Sequence, residues 1–211
     1  MENMIALIDY GMGNLLSVYK ALEHVGGKIE IVDNPAEISR ADGIILPGVG
    51  NFGDGMEHLR SRGLADAVRQ TVDAGKPFLG ICLGMQMLME SSEEAPGVAG
   101  LGIFRGRVVR FPDGVEKVPH MGWNSISLKQ YCRCLEDVKE ESFFYFVHSY
   151  YVCPDDPAVV AASCNYIVDF AAALGRGNLF ATQFHPEKSQ NSGLAILRSF
   201  VNTVGNGRQK A

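Results

Sequence analysis

The chain has 211 residues, 46% of them hydrophobic, enough to bury one sizeable core, so a single domain over residues 1–211 is expected. A net charge of −5 and a pI near 5.5 leave no basic footprint for nucleic acid. No apolar run reaches transmembrane length, and Met1 to Asp9 lacks the basic region and long apolar core of a signal peptide, so a soluble, cytoplasmic protein is expected, with neither membrane nor nucleic acid as partner.

Five cysteines without framework spacing fit reduced thiols better than a disulfide scaffold. Cys132 and Cys134 form an isolated C-x-C with no second cysteine or histidine pair close by, so no metal site is expected there. Nothing in the pattern gives Cys153 or Cys164 a role.

Taken in order, Met4 to Asp9 is an apolar strand, followed by the loop Tyr10-Gly11-Met12-Gly13 and by Asn14, which can cap a helix from Leu15 to Val25. Gly26-Gly27 ends that helix and Ile29 to Val32 forms the next strand. Gly11 and Gly13 suggest a dinucleotide loop, but Leu16 stands where the third glycine of G-x-G-x-x-G belongs. Ala36 to Ser39 is a short helical turn. Gly43 to Leu46 is a third strand running into the glycine-rich loop Pro47 to Gly53, whose backbone can approach a ligand and point amides at it. Helical pieces follow near Gly55 to Arg62 and Leu64 to Ala74.

Lys76 to Glu90 is the stretch that organises the rest. Pro77 to Ile81 reads as a buried parallel strand, and Leu83, Met85, Met87, Leu88 and Met89 continue as good helix formers. Cys82 sits at the junction, flanked by Gly80 and Gly84 as G-x-C-x-G, the cysteine counterpart of a nucleophile elbow. A thiol at a helix N-terminus feels the positive end of the helix dipole, which favours its reactive form.

Beyond it the character changes. Glu93 to Gly102 is a loop, and short strands are expected at Arg105 to Phe111, Trp123 to Leu128, Phe143 to Val147, Tyr150 to Cys153, Val159 to Asn165, Phe170 to Leu174 and Leu179 to Phe184. Ser192 can cap a last helix whose Leu194, Leu197, Phe200, Val201 and Val204 share a face, and Asn206 to Ala211 reads as a frayed basic tail. The expected fold class is therefore α/β: a mostly parallel central sheet flanked by helices, with a β-rich second half.

A thiolate nucleophile needs a base, and the base needs a group that orients it. Of five histidines, His24 and His58 fall on first-half helices and read as surface residues, while His120 and His148 stay open. His185 ends an apolar strand, and residues two apart in an extended segment face the same side, so Glu187 can accept a hydrogen bond from its ring and fix the tautomer.

Gly80-Ile81-Cys82-Leu83-Gly84-Met85-Gln86 and His185-Pro186-Glu187 resemble the catalytic signatures of triad-type glutamine amidotransferases, a family with an α/β sheet fold. Within that family, Ile8 to Leu15, Pro47 to Gly50, Pro119 to Asn124 and Phe146 to Tyr150 are similar to segments of the glutaminase subunits of imidazole glycerol phosphate synthases. The resemblance implies that Cys82 attacks the glutamine side-chain amide, His185 shuttles the proton and Glu187 orients it, through a γ-glutamyl thioester. It implies oxyanion donors from Val49, Gly50 and Leu83, with a peptide flip at Gly48-Val49 as one way to switch them on, and a glutamine-binding set of Gln86 with the backbone of Ser149 and Tyr150. It implies no cofactor. The partner it implies is a (β/α)₈ cyclase subunit, in a heterodimer, that receives the ammonia through a channel and serves histidine biosynthesis. Tyr10, Asn14, Met121, Trp123, Tyr145 and Lys188 are expected at or near that interface. A glutaminase of another synthase, such as pyridoxal phosphate synthase, or a silent scaffold of the same fold, are the competing readings.

Overall fold

The computed structural model describes residues 3–114 and 116–206. The chain opens as alternating strands and helices: β1 (Met4–Ile8), α1 (Leu15–His24), β2 (Lys28–Val32), α2 (Pro35–Arg40), β3 (Gly43–Leu46), α3 (Phe52–Ser61), α4 (Leu64–Asp73) and β4 (Phe78–Ile81). Three asparagines start helices by accepting a backbone N–H: Asn14 from Ser17, Asn34 from Glu37 and Asn51 from Asp54. Asn51 places the start of α3 at Phe52, so the tail of the expected glycine loop is already helical.

Turn α5 (Leu83–Gln86) is far shorter than the helix expected through Met89. The reason lies in the loop that returns over it. Leu101 N–H bonds the Met87 carbonyl, Gly102 N–H that of Met89, and both Ile103 and Phe104 N–H that of Leu88. These carbonyls find partners outside a helix, and Met87, Leu88 and Met89 are wholly buried beneath the loop.

The second half is built of strands: β5 (Ser91–Ser92), β6 (Gly106–Arg110), β7 (His120–Ser125), β8 (Ser127–Leu128), β9 (Phe143–His148), β10 (Tyr150–Pro154), β11 (Val160–Tyr166), β12 (Val168–Arg176) and β13 (Leu179–Thr182), before α6 (Gln190–Asn206). Strand β7 begins three residues before the expected Trp123, paired with β9 from His120 opposite His148. Helix α6 starts ahead of Ser192 and ends on Asn206, so Asn206, expected as the start of a frayed tail, is helical, and the rest of that expected tail, 207–211, lies outside the described residues.

One eight-stranded sheet runs β2-β1-β3-β4-β13-β12-β11-β8. The first five strands are mutually parallel and the last three antiparallel. Period-two alternation sends Ala6 and Ile8 to one face, under Met56, Leu59 and Val68, and sends Ile5 and Leu7 to the other, under Val18, Ile196 and Phe200. Burial on both faces is why these strands read as continuous apolar runs. Although sequence distant, β13 lies directly beside β4, with Thr182 opposite Ile81. Two chain segments thus end side by side at the carboxyl edge of the parallel sheet, where open α/β sheets bind ligands.

Candidate active site

Cys82 leaves β4 with φ 53° and ψ −108°, a backbone conformation that costs a non-glycine residue on the order of 1–3 kcal/mol. Its N–H donates to the Thr182 carbonyl at 2.7 Å, and its own carbonyl accepts from Met85 and Gln86, so the turn is pinned from both sides. Gly84 is required by close approach. A methyl group there would lie 1.9 Å from the Leu46 carbonyl oxygen.

His185 follows β13. Its Nδ1 bonds Glu187 Oε1 at 2.8 Å, both side chains being nearly inaccessible; the bond is the one expected, but Pro186–Lys188 forms a 3-10 turn and not the extended segment from which it was expected. The tautomer is fixed in this way, and Nε2 is left without a full hydrogen bond, as is Glu187 Oε2. Burial alone would lower the His185 pKa, but the hydrogen bonds and charges of Cys82 and Glu187 outweigh it and raise the value to about 10. The imidazole is thus held as a proton carrier beside a sulfur. Two further contacts seat the residue: the backbone N–H of His185 donates to the Tyr145 carbonyl at 3.0 Å, and its backbone carbonyl accepts from Ser189 Oγ at 2.6 Å.

A cavity of about 390 Å³ opens in front of Cys82, lined by Val49, Gly50, Leu83, Gln86, Glu94, Val147, His148, Ser149 and Tyr150 among others. All of the residues expected as oxyanion donors or glutamine contacts therefore meet around one space. The Ser149 carbonyl is taken by the Phe111 N–H, and the Tyr150 carbonyl accepts from Gln86 Nε2 and His148 Nδ1.

Two members of the site were not expected. Gln183 is wholly buried, its Nε2 lying 3.6 Å from Cys82 Sγ and its Oε1 accepting from Gln86 Nε2 at 3.1 Å. A polar residue closing the apolar run Leu179 to Phe184 was the available signal. Glu94 is the one carboxylate lining the cavity; burial raises its pKa against the opposing hydrogen bond from the Phe52 N–H. Nothing in its acidic loop distinguished it from Glu93.

Tyr10 does not belong with the expected interface residues. It is 0% exposed, and its hydroxyl donates to the Pro47 carbonyl at 2.9 Å, beneath the glycine loop. Gly48 rests directly on that hydroxyl, where a methyl group would come within 2.3 Å. Tyr10 is a pillar of the loop, and burial, with Cys82 nearby, raises its pKa. His58, read as a surface residue, bonds the Tyr10 carbonyl through Nδ1 at 2.9 Å and ties the loop between β1 and α1 to α3. Asn14 is exposed and caps α1.

Met121 and Trp123 are 64% and 47% exposed on the outward face of β7. Trp123 meets the Tyr145 ring edge-on at 6.2 Å, and Lys188 Nζ lies 5.8 Å from the same ring. These four side chains form one amphipathic surface beside the catalytic strand ends.

All five cysteines are unpaired, and among the described residues no cluster of three or more His, Cys, Asp or Glu is arranged to hold a metal ion. No helix among them is long and apolar enough to cross a membrane.

Comparison with known proteins agrees with this geometry. The family model for glutamine amidotransferase class-I matches residues 6–204. Imidazole glycerol phosphate synthase subunit HisH of Moorella thermoacetica is 50% identical over 200 residues, covering 95% of each chain. The protein of that name from Geobacillus thermodenitrificans is 53% identical over 206 residues, 95% of this chain and 96% of its own. The one from Methanocaldococcus jannaschii is 50% identical over 198 residues, 94% of this chain and 98% of its own. Among solved structures, a putative GMP synthase component from Thermoplasma acidophilum superposes with a TM-score of 0.76 at 21% identity, covering 100% of this chain and 98% of that one. PurLQS from Thermotoga maritima gives the same TM-score and identity over 96% of this chain and 99% of that one. An elbow cysteine beside a histidine–carboxylate pair, on this sheet and with these relatives, makes the chain a member of the class-I glutamine amidotransferases, in the branch of the imidazole glycerol phosphate synthase subunits HisH.

Proposed function

We propose that the chain hydrolyses glutamine to glutamate and ammonia and hands the ammonia to a (β/α)₈ cyclase subunit, the pair acting in the cytoplasm as imidazole glycerol phosphate synthase. The observation that carries this is the junction of two strand ends, with Cys82 after β4 lining the cavity and the His185–Glu187 pair after β13 set against Cys82.

The chemistry follows from the positions. Cys82 Sγ attacks the side-chain carbonyl carbon of glutamine, and the carbonyl oxygen becomes an oxyanion that takes hydrogen bonds from backbone amides of Val49 or Gly50 and of Leu83. His185, holding a proton at Nε2, gives it to the departing nitrogen; ammonia leaves and a γ-glutamyl thioester remains. Water then attacks the thioester carbon, His185 takes its proton, and the sulfur departs as glutamate is released. Glu187 keeps the imidazole in the required tautomer throughout. In this reading Glu94, on the cavity wall, meets the substrate α-ammonium, and Gln86 and the Ser149–Tyr150 backbone meet its polar groups. Ammonia exposed to bulk water would be protonated and lost as a nucleophile. The surface of Met121, Trp123, Tyr145 and Lys188 offers a partner aromatic, apolar and cationic contacts together, the combination that anchors interfaces.

The test is glutamate release by the purified chain, alone and with the cyclase subunit plus its ribulosyl nucleotide. Stimulation by that partner, abolished in Cys82→Ala with binding intact, is the expected result. Turnover that persists in Cys82→Ala removes the mechanism, and turnover indifferent to the cyclase assigns the chain to another synthase.

A further inference from the structure

An unbroken line of hydrogen bonds joins the outward strand β7 to the nucleophile. Asn124 Nδ2 meets His120 Nε2 at 3.3 Å, His120 Nδ1 meets His148 Nε2 at 3.1 Å, and His148 Nδ1 meets the Tyr150 carbonyl at 2.8 Å. From that carbonyl the line continues through Gln86 Nε2 at 3.0 Å, then Gln183 Oε1 at 3.1 Å, and ends with Gln183 Nε2 at 3.6 Å from Cys82 Sγ.

The direction of every donor in this line is determined, and from both ends independently. A carbonyl can only accept, so His148 carries its proton on Nδ1 and presents a bare Nε2 to His120, whose Nδ1 must then be the donor. That leaves His120 Nε2 bare. At the far end, Asn124 Oδ1 accepts from the Ser125 N–H at 2.9 Å and its Nδ2 donates to the Asn165 carbonyl at 3.0 Å, which turns the amide nitrogen towards His120. Two separate sets of backbone groups thus demand the same polarity. The Tyr150 carbonyl, with two lone pairs for two donors, is the point where the imidazole pair and the Gln86 amide are locked together.

The surroundings hold both rings uncharged. His120 is sandwiched between Tyr166, at 4.0 Å, and Phe146, at 4.8 Å, while Phe111 and Phe170 contact both imidazoles. Burial lowers the pKa of His120 to about 4. Burial, with the charges of His120 and His185, takes that of His148 to about 3 despite the opposing Tyr150 bond.

We propose that His120 and His148 are positioning residues for the glutamine subsite, a pair of Nδ1–H tautomers that transmit the placement of β7 through the Tyr150 carbonyl to Gln86 and Gln183. The proposal rests on the glutaminase reading for its kinetic consequence, but its tautomer consequence stands without it. On β7, His120 and Asn124 face inward while Met121 and Trp123 face outward, so the strand that meets a docking surface is also the strand that starts the line.

The test has two arms. In the first, ¹⁵N-labelled histidine in the wild-type chain is read by long-range ¹H–¹⁵N correlation at neutral pH. Both rings are expected as the uncommon Nδ1–H tautomer, and an Nε2–H tautomer or an imidazolium at either position overturns the proposal. In the second, glutamate release is measured in the complex with the cyclase subunit. His120→Phe keeps the ring stack but severs two bonds, and is expected to raise the KM for glutamine about tenfold while kcat changes less, the size of one lost hydrogen bond. His120→Asn restores a donor where Nδ1 stood and recovers most of that loss. An unchanged KM in His120→Phe, or no recovery in His120→Asn, overturns the positioning role. If His120→Phe fails to fold, the asparagine variant and the wild-type tautomers decide the matter. Wild-type protein that releases no glutamate would instead overturn the glutaminase reading, leaving the tautomer arm to stand or fall alone.

Discussion

Replacing Gly84 by alanine asks how the nucleophile is held in place. The added carbon would sit 1.9 Å from the Leu46 carbonyl oxygen and 2.9 Å from the carbonyl carbon, both backbone atoms of β3 that no side-chain rotation can move. Ordinary van der Waals contact begins near 3.4 Å, so the start of α5 and the end of β3 must part by about 1.5 Å in an interior packed like a crystal. Overpacking of this kind costs about 1–3 kcal/mol, and a clash between two backbones belongs at about 3 kcal/mol. In a chain of this length that corresponds to a Tm lowered by about 6 to 12 °C. Because Cys82 immediately precedes α5, the shift also moves the sulfur, and about 1 Å of misplacement costs on the order of a hundredfold in rate. Thermal unfolding followed by far-UV circular dichroism, beside glutamate release, reads both effects. Gly205→Ala is the control: its methyl group meets nothing within 4 Å and sits in the last turn of α6, so Tm should hold or rise by about a degree or two. A Gly84→Ala protein with the wild-type Tm and kcat would refute the close-approach argument, and equal losses in both variants would show that the space around each glycine is irrelevant.

Other expectations follow from the same contacts. Tyr10→Phe removes the hydroxyl that holds the Pro47 carbonyl and should cost about 1–2 kcal/mol in urea unfolding while altering glutaminase turnover; no change in either would deny Tyr10 its place as a pillar of the loop. The folded-state pKa of His185, about 10, lies above its ordinary 6.5, so the stability it contributes is complete below pH 6.5 and fades as pH rises towards 10. Glu187→Gln removes part of what raises that pKa, and its stability should fall less steeply than the wild type over the same interval; parallel curves would count against the charge pair. Trp123→Ala should weaken cyclase binding, measured by titration calorimetry, more than it lowers Tm, because the ring is half exposed and meets Tyr145 only edge-on. A melted chain with unaltered binding would reverse that assignment.

Much of this arrangement was legible in local pattern. The elbow at Cys82 announced itself by two flanking glycines, and His185–Glu187 by closeness in sequence at a strand end, although the 3-10 turn at Pro186–Lys188 replaces the extended segment expected there. The cap at Asn14 and the sheet-forming apolar runs are equally local. What the sequence concealed depends on partners far away in the chain. The helix after Cys82 stops at Gln86 because the loop Leu101 to Phe104 comes back to bond the Met87 to Met89 carbonyls, which no propensity in Met-rich residues records. Tyr10, an aromatic residue in a glycine loop, looked like a surface contact until the Pro47 to Gly50 loop closed over it. Gln183 and the His120–His148 pair acquire meaning only when β9, β10 and β13 converge on the cavity.

The adjacency of β4 and β13 has a consequence in time as well as in space. Cys82 and Gln183 are 101 residues apart, and at about 5–20 residues per second a ribosome takes about 5 to 20 s to traverse that interval. Throughout it the edge of β4 lacks its neighbour, Cys82 lacks the Thr182 carbonyl, and no His185 exists to take a proton. On the proposed mechanism, nascent chains, and chains abandoned anywhere before His185, lack the proton carrier that glutamine hydrolysis needs. The same mechanism ties hydrolytic capacity to polypeptides whose final strand has been threaded into the middle of the sheet.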